Sequence, residues 1–248
     1  MGNLGQNSTA SGRAQFDNTH WSVVLLAGQS SSPICDKALE NLCASYWYPL
    51  YAFLKRQGYS SADAKDLTQE FFAKSLQKNF LSSVNPARGK FRSFLLAALK
   101  NFLANEWDRA HAEKRGGKHT FVSIDEQTAE GRYEVEPTST ITAEELFDHQ
   151  WALAVFDETF RKLKAEWEAA GKGAQFKELH IYLSSEPVAG AYAAAGMRLQ
   201  MSNEAVAVEV HRLRRRYGEL LRKEIGRTVS TPAEIEEEMR FLFSVFSR

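Results

Sequence analysis

The segment from Tyr192 to Leu221, YAAAGMRLQMSNEAVAVEVHRLRRRYGELL, constrains this chain more than any other. Val206, Val210, Leu213, Tyr217 and Leu220 recur at steps of four and three, which draws one apolar stripe along a helix and excludes the two-residue alternation of a strand. Ser202 sits just before the periodic run, where a serine hydroxyl caps a first turn for about 1 kcal/mol over alanine. Upstream, Ala189, Ala191, Ala193, Ala194, Ala195 and Gly196 supply almost no side-chain bulk, so the second helix can cross closely after a short turn. Opposite the stripe, Asn203, Ala207, His211 and Arg214 fall at helical spacing, flanked by Arg212 and Arg215. A helix backed by apolar residues and faced with such groups suits a DNA major groove, and an amphipathic solvent-facing helix has the same pattern.

Charge balance adds a condition. The formal net charge is zero, so any affinity for nucleic acid must come from how charge is distributed. The distribution is uneven. Arg88, Lys90, Arg92, Lys100, Arg109, Lys114, Arg115 and Lys118 outnumber Glu106, Asp108 and Glu113, whereas Asp125, Glu126, Glu130, Glu134, Glu136, Glu144 and Glu145 face only Arg132. Cys35 and Cys43 form no CxxC pair and no disulfide framework. The polar start MGNLGQNSTASGR lacks the apolar core of a signal peptide, and the run FLLAAL is too short to cross a bilayer. The reading is cytoplasmic, with no membrane partner. The histidines form no HExxH or Cys/His set, and neither a Gly-rich phosphate loop nor a Ser/His/Asp spacing stands out. An enzyme, a metal and a cofactor are therefore not expected.

The pattern predicts an all-α fold of two helical domains. Residues 1–18, rich in Gly, Ser and Asn, read as a disordered N-terminus, and WSVVLLAG reads as a short docking helix. A first unit spans 19–117, with helices over Ala38–Arg56, Ser61–Phe80 and Phe91–Ala112. Turn signals at Gly58-Tyr59-Ser60 and Asn85-Pro86 separate them. Residues 118–141 read as an acidic linker. A second unit over 142–227 opens on TAEE, where Thr142 and Glu145 match a capping box. The extension 228–248 carries a helix over Glu234–Phe246. Its Ile235, Met239, Leu242 and Phe246 can pack over the second unit or against the first; a place over the helix after Ser202 would be autoinhibitory.

In the first unit, Ala64, Leu67, Phe71 and Phe72 form the expected buried side of Ser61–Phe80. Asp66, Gln69, Glu70 and Lys74 project from the other as an acidic and amide patch. The next helix interleaves Phe91, Phe94, Phe102 and Trp107 with Arg92, Lys100, Asn101, Asn105 and Arg109. Two readings are open for those aromatics. Rings among cations can stack on unpaired bases, at roughly 1–3 kcal/mol per base, and aromatics at helical spacing also build cores; Phe94, Leu95 and Phe102 are expected inside.

These segments have a family likeness. SADAKDLTQEFFAKSLQK resembles region 2.2 of bacterial sigma factors, FRSFLLAALKNFLANEWDRA resembles regions 2.3 and 2.4, and the closing helix-turn-helix resembles region 4. Two such domains without a recognisable region 1 or folded region 3 resemble the extracytoplasmic-function group. The likeness covers Ala38 to Gly117 and Trp151 to Ile225.

The resemblance implies a transcription initiation factor that binds core RNA polymerase and directs it to promoters. Asp66, Gln69 and Glu70 match family positions that bind the β′ clamp helices. The resemblance implies contact of Arg88, Lys90, Arg92, Lys100, Asn101, Asn105 and Arg109 with a minus-10 element, where a base is flipped into the loop at 81–90. It implies contact of Ser202, Asn203, Ala207, His211, Arg212, Arg214 and Arg215 with a minus-35 element, and of the same domain with the β flap. An anti-sigma protein is a further partner that such factors can have. The acidic linker is either a plain flexible spacer or a segment that imitates nucleic acid near the polymerase cleft. Ala207 and Glu209 stand where many relatives carry Lys or Arg, and Gly196 and Gln200 replace a usual Ala and Gly. Glu209 would repel phosphate if it faced DNA. The competing expectation is a stand-alone helix-turn-helix regulator that uses the second unit alone.

Overall fold

The computed structural model describes residues 33–75, 90–112, 141–229 and 231–247, and every regular element among them is helical. The expected disorder of 1–18, the WSVVLLAG segment, most of the loop at 81–90 and the linker up to residue 140 lie outside the described residues.

Helix α1, Pro33–Arg56, opens on a proline, whose missing N–H is no loss in a first turn. It ends as the glycine signal predicts. Gly58 adopts a φ of 95°, its N–H donates to the Lys55 carbonyl at 3.0 Å, and the Tyr59 N–H reaches back to Leu54 at 3.2 Å. Ser60 then caps α2, Ser61–Ser75, by accepting from the Asp63 N–H at 3.1 Å. The buried side of α2 is Ala64, Thr68, Phe71, Phe72 and Ser75, with Leu67 partly buried beside it. The hydroxyls of Thr68 and Ser75 are satisfied by donating to the Ala64 and Phe71 carbonyls, each at 2.7 Å.

Helix α3, Phe91–Ala112, buries Phe91, Leu95, Leu99 and Phe102 against α1 and α2. Phe94 is half-buried, short of the full burial expected for it. Helix α4, Ala143–Ala169, begins with the predicted capping box: Thr142 accepts from the Glu145 N–H at 3.2 Å, and the Glu145 carboxylate accepts from the Thr142 N–H at 2.8 Å. At 27 residues it is about 40 Å long and runs through both apolar clusters of the molecule.

The first cluster joins α1, α2 and α3 to Leu146, Phe147, Trp151 and Ala152 of α4. It also takes in Leu221, Ile225, Val229, Met239 and Leu242 from the far end of the sequence. The second cluster holds Leu163 and Trp167 of α4, α5 (Gly173–Leu179), the 3-10 turn His180–Leu183, α6 (Ala191–Leu199) and Val206, Val210, Leu213 and Leu220 of α7 (Asn203–Gly226). Tyr217 packs against both clusters. The sequence divisions at 142 and 228 therefore do not coincide with the edges of the two apolar clusters. Burying each Leu or Phe in them stabilises the fold by roughly 1.5–3 kcal/mol, so the ends of α4 and α7 tie the N-terminal and C-terminal helices together. A backbone bond closes the same junction: the Phe91 N–H donates to the Thr228 carbonyl at 3.1 Å.

Helix α8, Pro232–Ser244, follows after a short connection and starts two residues before the expected position. It packs beside the C-terminal turns of α7, where Arg222 pairs with Glu236 at 3.0 Å.

Candidate functional site

Helices α6 and α7 and the turn between them have the close crossing that the small residues predict. Gly196 is buried and faces the turn: its carbonyl accepts from the Met201 N–H at 2.9 Å, and a Cβ on Gly196 would lie 2.6 Å from the Met201 carbonyl oxygen. Gln200 closes α6 in the left-handed conformation, φ 54°, where glycine is the unstrained choice. Ser202 then caps α7 by accepting from the Ala205 N–H at 3.2 Å. Val206, Val210, Leu213 and Leu220 are buried and Tyr217 is half-buried, as the stripe predicts.

On the outer side of α7, Asn203, Glu204, Val208, His211, Arg212 and Arg215 are exposed, with Ala207 half-buried at the edge. Glu209 is turned inward. Its carboxylate accepts from Lys172 at 3.2 Å and from Arg212 at 2.8 Å, so it does not stand on the outer face where it would repel a phosphate. Arg214 is also drawn inward. Its guanidinium donates to the carbonyls of Tyr182 at 2.7 Å and Ser185 at 3.0 Å, satisfying backbone acceptors around the end of the 3-10 turn. Of the cations in the expected groove-contacting set, Arg212 and Arg215 point outward; Arg215 has a loose partner in Glu219 at 3.6 Å.

On α2, Asp66 is exposed, and Gln69 and Glu70 are partly so, on the side away from Phe71 and Ala64. Glu70 pairs with Lys74 at 2.7 Å, and Lys74 reaches Glu106 of α3 at 2.6 Å while lying over the Phe102 ring. Burial pulls the Lys74 ammonium down, but hydrogen bonds to Glu106 and Glu70 outweigh it and hold the group above its ordinary value. The patch keeps Asp66 as its outermost acid.

The cations of α3 are mostly engaged within the chain. Lys90 pairs with Glu238 of α8 at 2.8 Å. Arg92 donates to the same carboxylate through Nε and to Asp148 of α4 through Nη1 at 2.7 Å. Its guanidinium carbon lies 3.8 Å from the centre of the Phe241 ring and 5.2 Å from that of Trp151. Lys100 pairs with Glu144 at 2.6 Å. Asn101 and Asn105 are exposed, as is Trp107, whose fractional exposure of 63% sets it apart from the buried Leu95 and Phe102. Arg88 and the Arg109 side chain lie outside the described residues.

Sequence reasoning missed Trp151, Phe241 and above all Glu238, which is buried. A signal was there: Glu238 falls three residues after Ile235 and four before Leu242, on the apolar stripe of α8 and not on its acidic face. Among the described residues, no group of His, Cys, Asp and Glu side chains is arranged to hold a metal ion, and no helix is long and apolar enough to cross a membrane.

Among the described residues, these elements make a helical protein with a closely packed α6–turn–α7 pair, exposed cations on the outer face of α7, and Lys90 and Arg92 paired with Glu238 of α8. Comparison with protein-family models, with curated proteins and with solved structures gives no match.

Proposed function

We propose that the chain is a transcription initiation factor that binds core RNA polymerase and directs it to promoters, touching a minus-35 element with α7 and a minus-10 element with the surface around α3. The observation that carries this reading is the outer face of α7. Asn203, Val208, His211, Arg212 and Arg215 stand exposed on a helix held from behind by Val206, Val210 and Leu213, with Glu209 turned inward. Such a face can set cations on phosphates and amide or apolar groups on base edges. The sequence likeness to sigma regions 2 and 4 supplies the polymerase. Asp66, Gln69 and Glu70 on α2 supply a surface of the right chemistry for the clamp helices.

The engagement of Lys90 and Arg92 by α8 favours a second reading, a stand-alone regulator that binds duplex DNA through α6 and α7 alone. The two differ on Asp66. Run-off transcription with purified core polymerase and genomic promoter fragments tests the first, with Asp66→Lys expected to abolish core binding and initiation together. Duplex binding by the free chain that is indifferent to Asp66→Lys, without initiation by active core, would leave the regulator.

A further inference from the structure

Burying a carboxylate costs several kcal/mol unless cations and hydrogen bonds replace its water, and Glu238 is buried with only 1% of its side chain exposed. Lys90 and the Nε edge of Arg92 provide that replacement, with Glu237 at 3.8 Å from the same ammonium. Arg92 is fixed independently of Glu238. Asp148 holds its Nη1 and the Trp151 ring flanks it, so these contacts to α4 keep the guanidinium in place when α8 leaves, whereas the Phe241 ring and both partners of Lys90, Glu237 and Glu238, depart with α8. A flanked, pre-oriented guanidinium with an ammonium beside it is an anion site, and guanidinium forks match phosphate as well as carboxylate.

From this geometry we infer that Lys90 and Arg92 form a binding site for a backbone phosphate of single-stranded DNA, that Glu238 occupies it as an internal ligand, and that α8 must swing away before the strand can enter. The inference rests on the proposed minus-10 role of this surface and adds the condition under which that role is available. Release of α8 gives up the burial of Ile235, Met239 and Leu242, the Phe241 ring on Arg92 and Trp151, and the contacts of the half-exposed Phe243 and Phe246 with Phe156, and the few residues between Arg227 and Thr231 keep it close when released. It leaves the Asn203 end of α7 uncovered, so the autoinhibitory position over the reading helix is not the one it takes; the surface it closes is at the start of α3.

The test uses the full chain and a labelled single-stranded oligodeoxynucleotide, read by fluorescence anisotropy over a range of salt. Glu238→Gln keeps the shape of α8 and removes the internal anion. We expect it to bind roughly tenfold more tightly than the native chain, with a salt slope steeper by roughly 0.7, the value for one further phosphate on a single strand. Adding Lys90→Gln and Arg92→Gln should cancel the gain. Hydrogen exchange across residues 232–244 of the native chain should rise when oligonucleotide is bound. Glu238→Gln binding no more tightly than the native chain, or α8 equally protected with and without bound strand, overturns the inference. Core-polymerase binding measured on the same samples reports on the proposed function separately, since the latch has no part in the Asp66 surface.

Discussion

Gly196→Ala probes the joint on which the DNA-facing geometry depends. The added methyl carbon would sit 2.6 Å from the Met201 carbonyl oxygen and 3.6 Å from a Val206 methyl. The clash is with backbone, so it cannot be relieved by a rotamer change. The turn must retreat by roughly half an ångström, which strains the Met201 N–H to Gly196 bond of 2.9 Å and shifts Ser202 away from the Ala205 N–H. Overpacking of this kind costs about 1–3 kcal/mol, and weakening one hydrogen bond adds about 1 kcal/mol. Alanine's better helix propensity returns a little under 1 kcal/mol, which leaves a net loss of about 1–3 kcal/mol. Urea unfolding followed by far-ultraviolet circular dichroism gives the stability, and anisotropy with duplex promoter DNA gives the binding. Both should fall together. Gln200→Gly is the matched control: it relieves the left-handed strain of Gln200 while loosening the unfolded chain, and should lie within about 1 kcal/mol of the native protein. A Gly196→Ala protein as stable as the native chain would refute the packing argument.

Three further outcomes are expected. Arg214→Lys should destabilise the fold nearly as much as Arg214→Ala, by about 1–2 kcal/mol, because the Tyr182 and Ser185 carbonyls are bonded from two separate nitrogens of a planar fork, Nε and Nη2, which a single ammonium does not reproduce; a native unfolding midpoint for the lysine variant would contradict this. Glu209→Gln should lose at most about 1 kcal/mol, since Lys172 and Arg212 are half in water, yet raise duplex affinity at low salt by releasing Arg212; unchanged affinity in the same anisotropy assay would argue against Arg212 as a phosphate contact. Hydrogen bonds from Arg161, with Lys162 beside them, hold the Glu158 carboxyl at about 2, below the ordinary 4.5. A depressed carboxyl stabilises the fold above its unfolded value and loses that contribution as pH falls toward the folded one. With Arg161 two-thirds exposed, screening leaves about 1 kcal/mol, so stability should decline between pH 4.5 and 2 less steeply in Glu158→Gln, and parallel acid limbs for the two proteins would count against it.

The turn at Gly58, the capping box of Thr142 and Glu145, the cap at Ser202 and the stripe from Val206 to Leu220 all follow from residues within a few positions of each other. Local hydrogen bonding and helical spacing dictate such features, so they are legible in the chain alone, as is its helical class. The acidic patch was legible on the same grounds, because the spacing that buries Ala64 and Phe71 turns Asp66 outward.

The state of the charged side chains follows a different rule. Arg214 is settled by carbonyls 32 and 29 positions away, Glu209 by a lysine 37 positions away, and Arg92 by a carboxylate 146 positions away. No periodicity within one helix encodes which long flexible side chain will find its partner across the fold, since that depends on where α4 and α8 bring their acids. Local chemistry therefore determined that α7 would have a basic face and α3 a basic start. Packing decided that Arg212 and Arg215 look outward, that Glu209 does not, and that Lys90 and Arg92 pair with Glu238 of α8.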